Sequence, residues 1–546
     1  MIKQQKNTLI ILLLLGLIYF AIFIFPNLKG VKDANMLALF EIDEYAQYPH
    51  VIRMLTPGAT TYQTIRNFFI YLHYFYGFPF YFFSAITILP IKLIAGAGWY
   101  EHTPIIVMVL RQMINVLPML LSITILVYMQ TRFQQIWVSI SLFVLLLSIP
   151  AVVVNNMWWH PDSLVFIFIV LTLFFLNRDN LQFNKNFFFA AIACGLAIGT
   201  KHLGVFFALT IPAYLICGII DKKISVRGSI IYSILFVFVM ILAVIASNPL
   251  LLLPIERGEI INIFRVQWIQ SSTGVILANP DPFFTWGNYP EDFRIHYGEL
   301  FFILITLASV IAGLFKKEKR LLNFLILTWM IPLTSIILIF GTRRTHYFIP
   351  VLLPAVSSLV NIFPKFNLRD LFNKKDDKKS FVTQKVIPFV FGILIIIQFL
   401  IFLKMDIRIY SQTLHKEKYS RSIAFYNNIK DILLAELDTE KLVVYRDWRI
   451  YFPPTENWRV EMNWDLANHE YIADLDPDLI LLETENVQLF ADPETIQKAV
   501  EPGEMKILNE FYGNAAQDQL AGYKILRQDS FGYILIKDAL LDKYFN

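Results

Sequence analysis

The chain is organised around long apolar runs, most of them close to the length of a membrane-spanning helix. A spanning helix needs about 20 predominantly apolar residues, and runs of this kind fill most of the sequence before residue 404. A chain that is 56% hydrophobic and only 16% charged is too apolar for an ordinary water-soluble globule. We therefore predict an α-helical polytopic membrane protein with about 11–13 transmembrane helices. The predicted spans are approximately 8–25, 68–95, 104–130, 136–157, 163–176, 187–200, 202–220, 228–254, 299–315, 320–340, 345–363 and 386–403.

The charged residues are divided unequally between the two ends of the chain. Residues 404–546 hold 25 of the 43 acidic and 16 of the 47 basic side chains, a net charge of −9, which leaves +13 for the rest. This asymmetry indicates two bodies in two environments. We predict a transmembrane domain at 1–403 and a soluble extracytoplasmic α/β domain at 404–546. In that second domain the pattern predicts a helix at 420–437, strands at 441–445 and 478–483, and a hairpin at 523–537.

Four short basic loops set the predicted topology, because lysine and arginine in short loops stay on the cytoplasmic side. Alternating spans then place 255–298, the turn 341–346 and the carboxyl domain outside a cell membrane. Membrane crossings can be counted forward from a cytoplasmic amino terminus or backward from the basic loops. The two counts differ by one crossing, somewhere between residues 68 and 157. We resolve this by predicting that 68–98, broken at Gly77, Pro79 and Pro90, is a helical hairpin or a partly in-plane element. The four loops are 178–185, 222–227, 316–320 and 365–385.

A cytoplasmic amino terminus places residues 26–67 outside as the first external loop. Within four positions of this loop lie three carboxylates, Glu41, Asp43 and Glu44. Carboxylates close together raise one another's pKa and can supply a general base. The alternative is a solvated cluster of loop charges.

A second polar segment is Trp158 to Asp162, which directly precedes an apolar run. Its acidic residue Asp162 and His160, walled by tryptophans, are suited to hold a lipid headgroup or a sugar ring. The alternative is an interfacial tryptophan belt in which the aspartate caps the next helix.

Two further polar segments carry cations. Lys201 interrupts an apolar stretch, where a buried cation indicates function unless its side chain reaches an interface. Arg343 and Arg344 lie in a turn assigned to the outside, against the charge rule, and are followed by His346 and Tyr347. Paired guanidiniums bind phosphate through bidentate hydrogen bonds.

The order of these segments resembles the C-type (GT-C) integral membrane glycosyltransferases, in particular the protein O-mannosyltransferase and aminoarabinose transferase branch. The resemblance covers roughly residues 8–360, and each of its motifs is short. It rests on the Asp43-Glu44 pair, the proline-aromatic segment 78–81, the arginine at the start of 111–115, Pro161-Asp162, the Thr200-Lys201 segment within 195–204, and the basic-Tyr-x-x-Pro segment 344–350.

The resemblance implies transfer of a sugar from a polyprenyl-phosphate donor to an acceptor at the outer face of the membrane, with inversion. It implies that Asp43 is the base and Glu44 its neighbour. A divalent metal is possible, although no ligand pattern demands one. The expected partners are the lipid-linked donor, membrane lipid and an undefined protein, lipid or glycan acceptor, with no nucleic acid. The implied substrate-binding residues are Asp162, His160, Arg111, Lys201, Arg343, Arg344, His346 and Tyr347.

Three other functions remain open. A transporter or flippase of lipid-linked sugars would also need external arginines and buried charges, and inverted repeats would favour it. A polysaccharide ligase or polymerase would use lipid-linked sugar as well. A non-catalytic scaffold would have no reason to bury Lys201 or to expose a pair of arginines.

Overall fold

Helices make up most of the membrane part of the chain. The computed structural model describes residues 3–274, 276–278, 291–339, 344–362, 387–437, 440–453 and 455–545. Three shorter apolar helices, Ile136–Leu147, Lys185–Thr200 and Leu300–Leu314, pack among the long ones. The prediction of a multi-pass α-helical membrane protein is confirmed. Within the described residues, seven helices are long and apolar enough to cross a membrane: Lys3–Asn27, Phe78–Ala95, Thr103–Thr131, His202–Ile220, Val226–Ser247, Arg320–Ile337 and Phe389–Leu414.

Two predicted spans are divided in the structure. The apolar run 136–157 forms two helices, because Ile149 is extended before Pro150, as residues preceding a proline usually are. In the predicted span 345–363, the described residues 345–362 form a 3₁₀ turn, the helix Ile349–Ser357 and a second 3₁₀ turn. The remaining helices of the membrane part are Ala34–Phe40, Ile42–Leu55, Thr61–Phe69, Pro150–Asn155, Asp162–Asp179, Pro254–Thr273, Glu291–Tyr297 and Ile349–Ser357.

The predicted hairpin at 68–98 is wrong. The helix Thr61–Phe69 ends before a non-helical stretch, and a single helix, Phe78–Ala95, follows. Pro79 lies in the first turn of that helix, where its missing N–H would have no partner anyway. Pro90 lies inside the helix and does not break it. Residues 78–95 therefore form one helix that is long enough to cross a membrane, and the alternative of a partly in-plane element stays a prediction.

The carboxyl domain is built on one mixed five-stranded sheet in the order β2-β1-β3-β5-β4. Strand β1 pairs in parallel with β2 and β3, whereas β5 pairs antiparallel with β3 and β4. Hydrophobic cores cover both faces of the sheet. The predicted α/β class is confirmed, although β2 and the helices between residues 469 and 516 were not predicted. The strands are β1 (Leu442–Arg446), β2 (Trp458–Glu461), β3 (Leu479–Glu483), β4 (Tyr523–Gln528) and β5 (Gly532–Lys537), and the helices are Arg421–Leu437, His469–Leu475, Thr484–Ala491, Glu494–Gln497, Pro502–Ala516 and Asp538–Tyr544.

The carboxyl domain contacts the segment that follows the first membrane helix. The last membrane helix, Ile387–Leu414, continues past residue 403, the predicted domain boundary. At the end of β1, Arg446 Nη2 donates to Asn35 Oδ1 at 2.9 Å, and Tyr451 donates its hydroxyl to Asp33 Oδ2 at 2.9 Å. Asp33 caps the short helix that leads to the three carboxylates of the first loop. The two bodies therefore meet at the segment that precedes the three carboxylates.

Candidate active site

One cavity of about 340 Å³ collects most of the predicted polar residues. It lies among the membrane helices, and its wall combines charged, aromatic and aliphatic side chains. The predicted residues that line it are Asp43, His160, Lys201, Arg344, His346 and Tyr347. The other lining residues are Phe75, Tyr76, His202, Leu203, Val205, Phe206, Phe264, Gln267, Trp268, Gln270, Ile336 and Ile337.

A close backbone approach brings two walls of this cavity together. Gly77 N donates to Thr200 O at 3.0 Å, and a Cβ atom on Gly77 would lie only 1.6 Å from the carbonyl oxygen of Gly199. Only a residue without a side chain fits there. Asn248 Nδ2 also donates to Gly199 O at 2.8 Å, and this hydrogen bond fixes the end of the helix Lys185–Thr200. As a result Tyr76 and Lys201, each next to this contact, reach the same space.

Asp162 is the centre of a buried charge cluster beside the cavity. Its Oδ1 accepts a hydrogen bond from Lys201 Nζ at 2.7 Å, and its Oδ2 contacts His160 Nδ1. His346 Nε2 lies 3.8 Å from the same Oδ2. Buried charges persist when they are paired and hydrogen-bonded, as this carboxylate and ammonium are. The partner of Lys201 is thus a carboxylate inside the protein, not water at an interface.

His160 is oriented from several directions. Its Nε2 is 2.6 Å from the hydroxyl of Tyr76, and Trp158 stacks on the ring with centroids 3.9 Å apart. Burial lowers the pKa of His160 below its ordinary value, so the imidazole is neutral near pH 7. With Nδ1 facing the Asp162 carboxylate, the single ring proton belongs on Nδ1, and Nε2 accepts from Tyr76.

Asp43 lies in the first turn of the helix Ile42–Leu55 and faces the cavity with a partly open carboxylate. Its side chain is 38% exposed, and Oδ2 is 4.0 Å from Arg344 Nη1, whose side chain is 52% exposed. A pair this open and this long leaves both groups available to a third molecule. In the same cavity, Lys201 Nζ lies 4.8 Å from the ring centroid of Tyr347.

Glu44 and Arg111, both predicted site residues, do not line the cavity. They form a bidentate pair with distances of 2.8 Å from Nε to Oε1 and 2.6 Å from Nη2 to Oε2, and both side chains are fully buried. Arg111 begins a π-helical turn, Arg111–Val116, inside its membrane helix. Glu44 Oε1 also accepts from the backbone N–H of Trp159. The pair therefore fixes the first loop to the turn that carries His160 and Asp162.

Arg343 lies outside the described residues, as do residues 365–385 of the last predicted cytoplasmic loop. Its assignment to phosphate binding stays a prediction.

His160, Asp162 and His346 present ligand-type atoms within 4.8 Å of one another. Two histidines and one aspartate suit a zinc-type ion. In the structure, however, both oxygens of Asp162 already have partners, one of them the Lys201 ammonium. A divalent ion would have to displace the His160 contact and would lie beside that ammonium. The donor set fits a metal only if Lys201 moves away.

Sequence reasoning missed several residues of the cavity wall. Tyr76 belongs to an aromatic run without a distinguishing pattern, and its bond to His160 spans 84 residues of sequence. Phe264 and Trp268 come from the helix Pro254–Thr273, within the segment 255–298 that was assigned only as an external loop. No local signal in the sequence links these residues to the cavity.

Comparisons with known proteins agree with this architecture. The sequence matches no protein-family model and no curated protein. The structure is similar to ArnT from Cupriavidus metallidurans bound to undecaprenyl phosphate, with a TM-score of 0.53 over 98% of this chain and 99% of that chain at 11% identity. This chain has the ArnT fold. The predicted resemblance to GT-C membrane glycosyltransferases is therefore confirmed at the level of fold.

Two further solved structures are similar over much of the chain. ArnT from Cupriavidus metallidurans in the apo state has a TM-score of 0.46 and 13% identity, covering 96% of this chain and 97% of that chain. The Archaeoglobus fulgidus oligosaccharyltransferase in the apo form has a TM-score of 0.49 and 13% identity, covering 95% of this chain and 74% of that chain.

Proposed function

We propose that this chain is a glycosyltransferase that transfers a sugar from a polyprenyl-phosphate donor to an acceptor hydroxyl, with inversion. The observation that carries the proposal is a cavity lined by a carboxylate, Asp43, and by two cations, Lys201 and Arg344. The ArnT fold supports it, and the ArnT structure with that fold is bound to undecaprenyl phosphate.

Asp43 is the proposed base. In a single displacement, the acceptor oxygen attacks the anomeric carbon, its proton passes to the Asp43 carboxylate, and the bond between that carbon and the phosphate oxygen breaks. The sugar moves to the acceptor, and polyprenyl phosphate leaves with the bonding electrons. The open side of Asp43 leaves room for an acceptor hydroxyl.

Arg344 and Lys201 are the proposed partners of the leaving phosphate. Negative charge develops on the phosphate as the bond breaks, and fixed cations at that position lower the barrier. Arg344 presents a guanidinium that can bind two phosphate oxygens at once, and Lys201 presents a compact ammonium near Tyr347. Arg343 is proposed for the same role by sequence alone.

Glu44 and Arg111 are positioning residues in this proposal. Their buried pair fixes the loop that carries Asp43 and, through Trp159 N–H, the turn that carries His160. His160, Asp162, His346 and Tyr347 are proposed to orient the sugar.

An apolar wall extends from the charged end of the cavity along the membrane helix His202–Ile220. Leu203 and Val205 line the cavity, and Val205 and Leu209 are 44% and 49% exposed. A polyprenyl chain can lie against such a surface while its phosphate reaches the cations. We further propose that the transfer takes place at the outer face of the membrane. The carboxyl domain, from about residue 404, lies on that same extracytoplasmic side.

The test uses purified full-length protein with undecaprenyl-phosphate-linked sugars and membrane extracts as acceptors. Release of undecaprenyl phosphate is measured by mass spectrometry for the wild type, Asp43→Asn and the matched control Asp465→Asn, which changes an exposed carboxylate of the carboxyl domain. We expect release from the wild type and the control but not from Asp43→Asn. Movement of intact donor across a liposome bilayer without release would instead support a transporter.

A further inference from the structure

A second cavity, of about 480 Å³, lies where two membrane helices end next to the carboxyl domain. We call it the junction cavity. The residues that matter for its chemistry are Lys29, Lys32, His415, Glu417, Lys418 and Tyr451. It shares no lining residue with the cavity that contains Asp43.

The junction cavity carries excess positive charge. Glu417 is the single acidic residue of its lining, and that carboxylate is already engaged by Lys32 Nζ at 3.0 Å and by the backbone N–H of Gly30 at 2.8 Å. Within the part of the chain that the structure describes, Lys29 and Lys418 form no salt bridge. Two ammonium groups therefore remain to attract an anion.

The position of the cavity is at a membrane boundary. The first membrane helix ends at Asn27, two residues before Lys29, and the last ends at Leu414, which itself lines the cavity. The two helices run side by side near these ends, since Tyr410 donates its hydroxyl to Ile22 O at 2.9 Å. We infer from the end of the first membrane helix that the cations lie near the depth of lipid headgroups.

Below the cations, both helices expose apolar side chains, and on the last helix these lie beside exposed Lys404 and Arg408. In the last two turns of the first helix, Ile22 is 45% and Phe25 is 62% exposed, and on the last helix Ile407 is 69% exposed. Such side chains are suited to contact acyl chains. The cationic end and the apolar end together match the two ends of a phospholipid.

The rim of the cavity is held in place from inside the protein. The carbonyl oxygens of Asn27 and Lys29 both accept from Arg111 Nη1, at 3.1 and 3.3 Å. Arg111 is itself fixed by its buried pair with Glu44. A site whose backbone is already ordered loses less entropy when a ligand binds.

We propose that the junction cavity binds the phosphate headgroup of an anionic phospholipid, with the acyl chains along the exposed faces of the first and last membrane helices. The ammonium groups of Lys29 and Lys418 contact the headgroup. This site holds a structural or regulatory lipid and is independent of the proposed sugar transfer.

The experiment measures lipid retention by native mass spectrometry of the full-length protein in detergent. The protein is titrated with phosphatidylglycerol or with phosphatidylcholine, as wild type, as Lys29→Ala/Lys418→Ala, and as Lys498→Ala/Lys506→Ala. The last variant removes two exposed lysines of the carboxyl domain and is the matched control. We expect the wild type and the control to prefer phosphatidylglycerol. We expect the first variant to lose about tenfold in that affinity, because each lysine near anionic lipid contributes a favourable interaction.

A second experiment distinguishes binding of a phospholipid from binding of a free phosphate ion. The Phe25→Ala/Ile407→Ala variant should weaken phosphatidylglycerol binding and leave binding of inorganic phosphate, measured by calorimetry, unchanged. Phosphate binding that matches lipid binding in strength, with no effect of the apolar variant, would replace the lipid by a free anion and overturn the proposal. Equal phosphatidylglycerol retention by the wild type and by Lys29→Ala/Lys418→Ala would also overturn it. Neither result bears on sugar transfer, which is measured separately.

Discussion

Two neighbouring carboxylates, Asp43 and Glu44, occupy very different surroundings although they are adjacent in one helical turn. Glu44 is fully buried and bound by both arms of Arg111, whereas Asp43 is 38% exposed and 4.0 Å from the partly exposed Arg344. The buried ion pair of Glu44 and Arg111 has a structural role, because neither charged group is accessible to another molecule. An open pair leaves a carboxylate and a guanidinium for substrate. This difference supports the proposed roles, in which Glu44 positions the loop and Asp43 takes part in the chemistry.

The Asp43→Asn variant tests the partly exposed carboxylate of Asp43, and we expect it to have the largest effect on the rate of sugar transfer. The amide keeps the size of the side chain but cannot accept the proton, so transfer should fall by about 10² to 10⁴ in rate. Thermal stability should stay close to that of the wild type, since the carboxylate is partly exposed and its contact with Arg344 is long. Initial rates and melting curves of the same preparation check both statements. A near-normal transfer rate for Asp43→Asn would show that Asp43 is not the general base.

The Glu44→Gln variant tests the buried ion pair between Glu44 and Arg111. It leaves the buried guanidinium of Arg111 without a counter-charge, and breaking such a pair costs about 3–5 kcal/mol of stability. Thermal unfolding in detergent should show a lower melting temperature than for Asp43→Asn.

The double variant Glu44→Gln/Arg111→Met is the control for that prediction. Replacing both charges by groups of similar size removes the unpaired charge, so we expect it to be more stable than Glu44→Gln alone. A double variant that is less stable than the single one would show that Arg111 contributes through its contacts with Asn27 and Lys29 instead.

The Arg344→Ala variant tests the cation of the open pair. We expect a weaker apparent affinity for the lipid-linked donor, by about 1.5–3 kcal/mol for lost hydrogen bonds to a charged group, with little change in melting temperature. Arg344→Lys should restore only part of this, because an ammonium lacks the planar fork. Arg459→Ala, an exposed arginine of β2, is the matched control. An unchanged Michaelis constant for donor in Arg344→Ala would argue against phosphate binding there.

Short-range patterns predicted the elements of this fold and several residues of the site, but not their partners. Apolar runs located most helices, and the break at Gly77 was also visible in the sequence. The pairing of Glu44 with Arg111 joins residues 67 positions apart, and the bond of Tyr76 to His160 joins residues 84 apart. Three carboxylates in four positions look equivalent in a sequence. Only the packing of other helices decides which one becomes buried and paired and which one stays open.

The third carboxylate of the loop, Glu41, gives the last and smallest prediction, because it lies between the two extremes. Its Oε1 is 3.8 Å from Lys416 Nζ, and its side chain is 30% exposed. Burial raises the pKa of Glu41 from 4.5 to about 7, with Lys416 acting in the opposite direction.

Between pH 4.5 and 7, the folded protein therefore holds a proton on Glu41 that the unfolded chain has lost. The stability that this proton contributes is fully present below pH 4.5 and is lost as the pH rises through about 7. A Glu41→Gln variant has no proton to lose at this position, so its melting temperature should change less with pH over this interval. Melting curves of the wild type, Glu41→Gln and the matched surface variant Glu494→Gln, recorded from pH 4.5 to 7, measure the difference. Parallel pH profiles for wild type and Glu41→Gln would mean that Glu41 is ionised throughout and is held, like Glu44, by its cation.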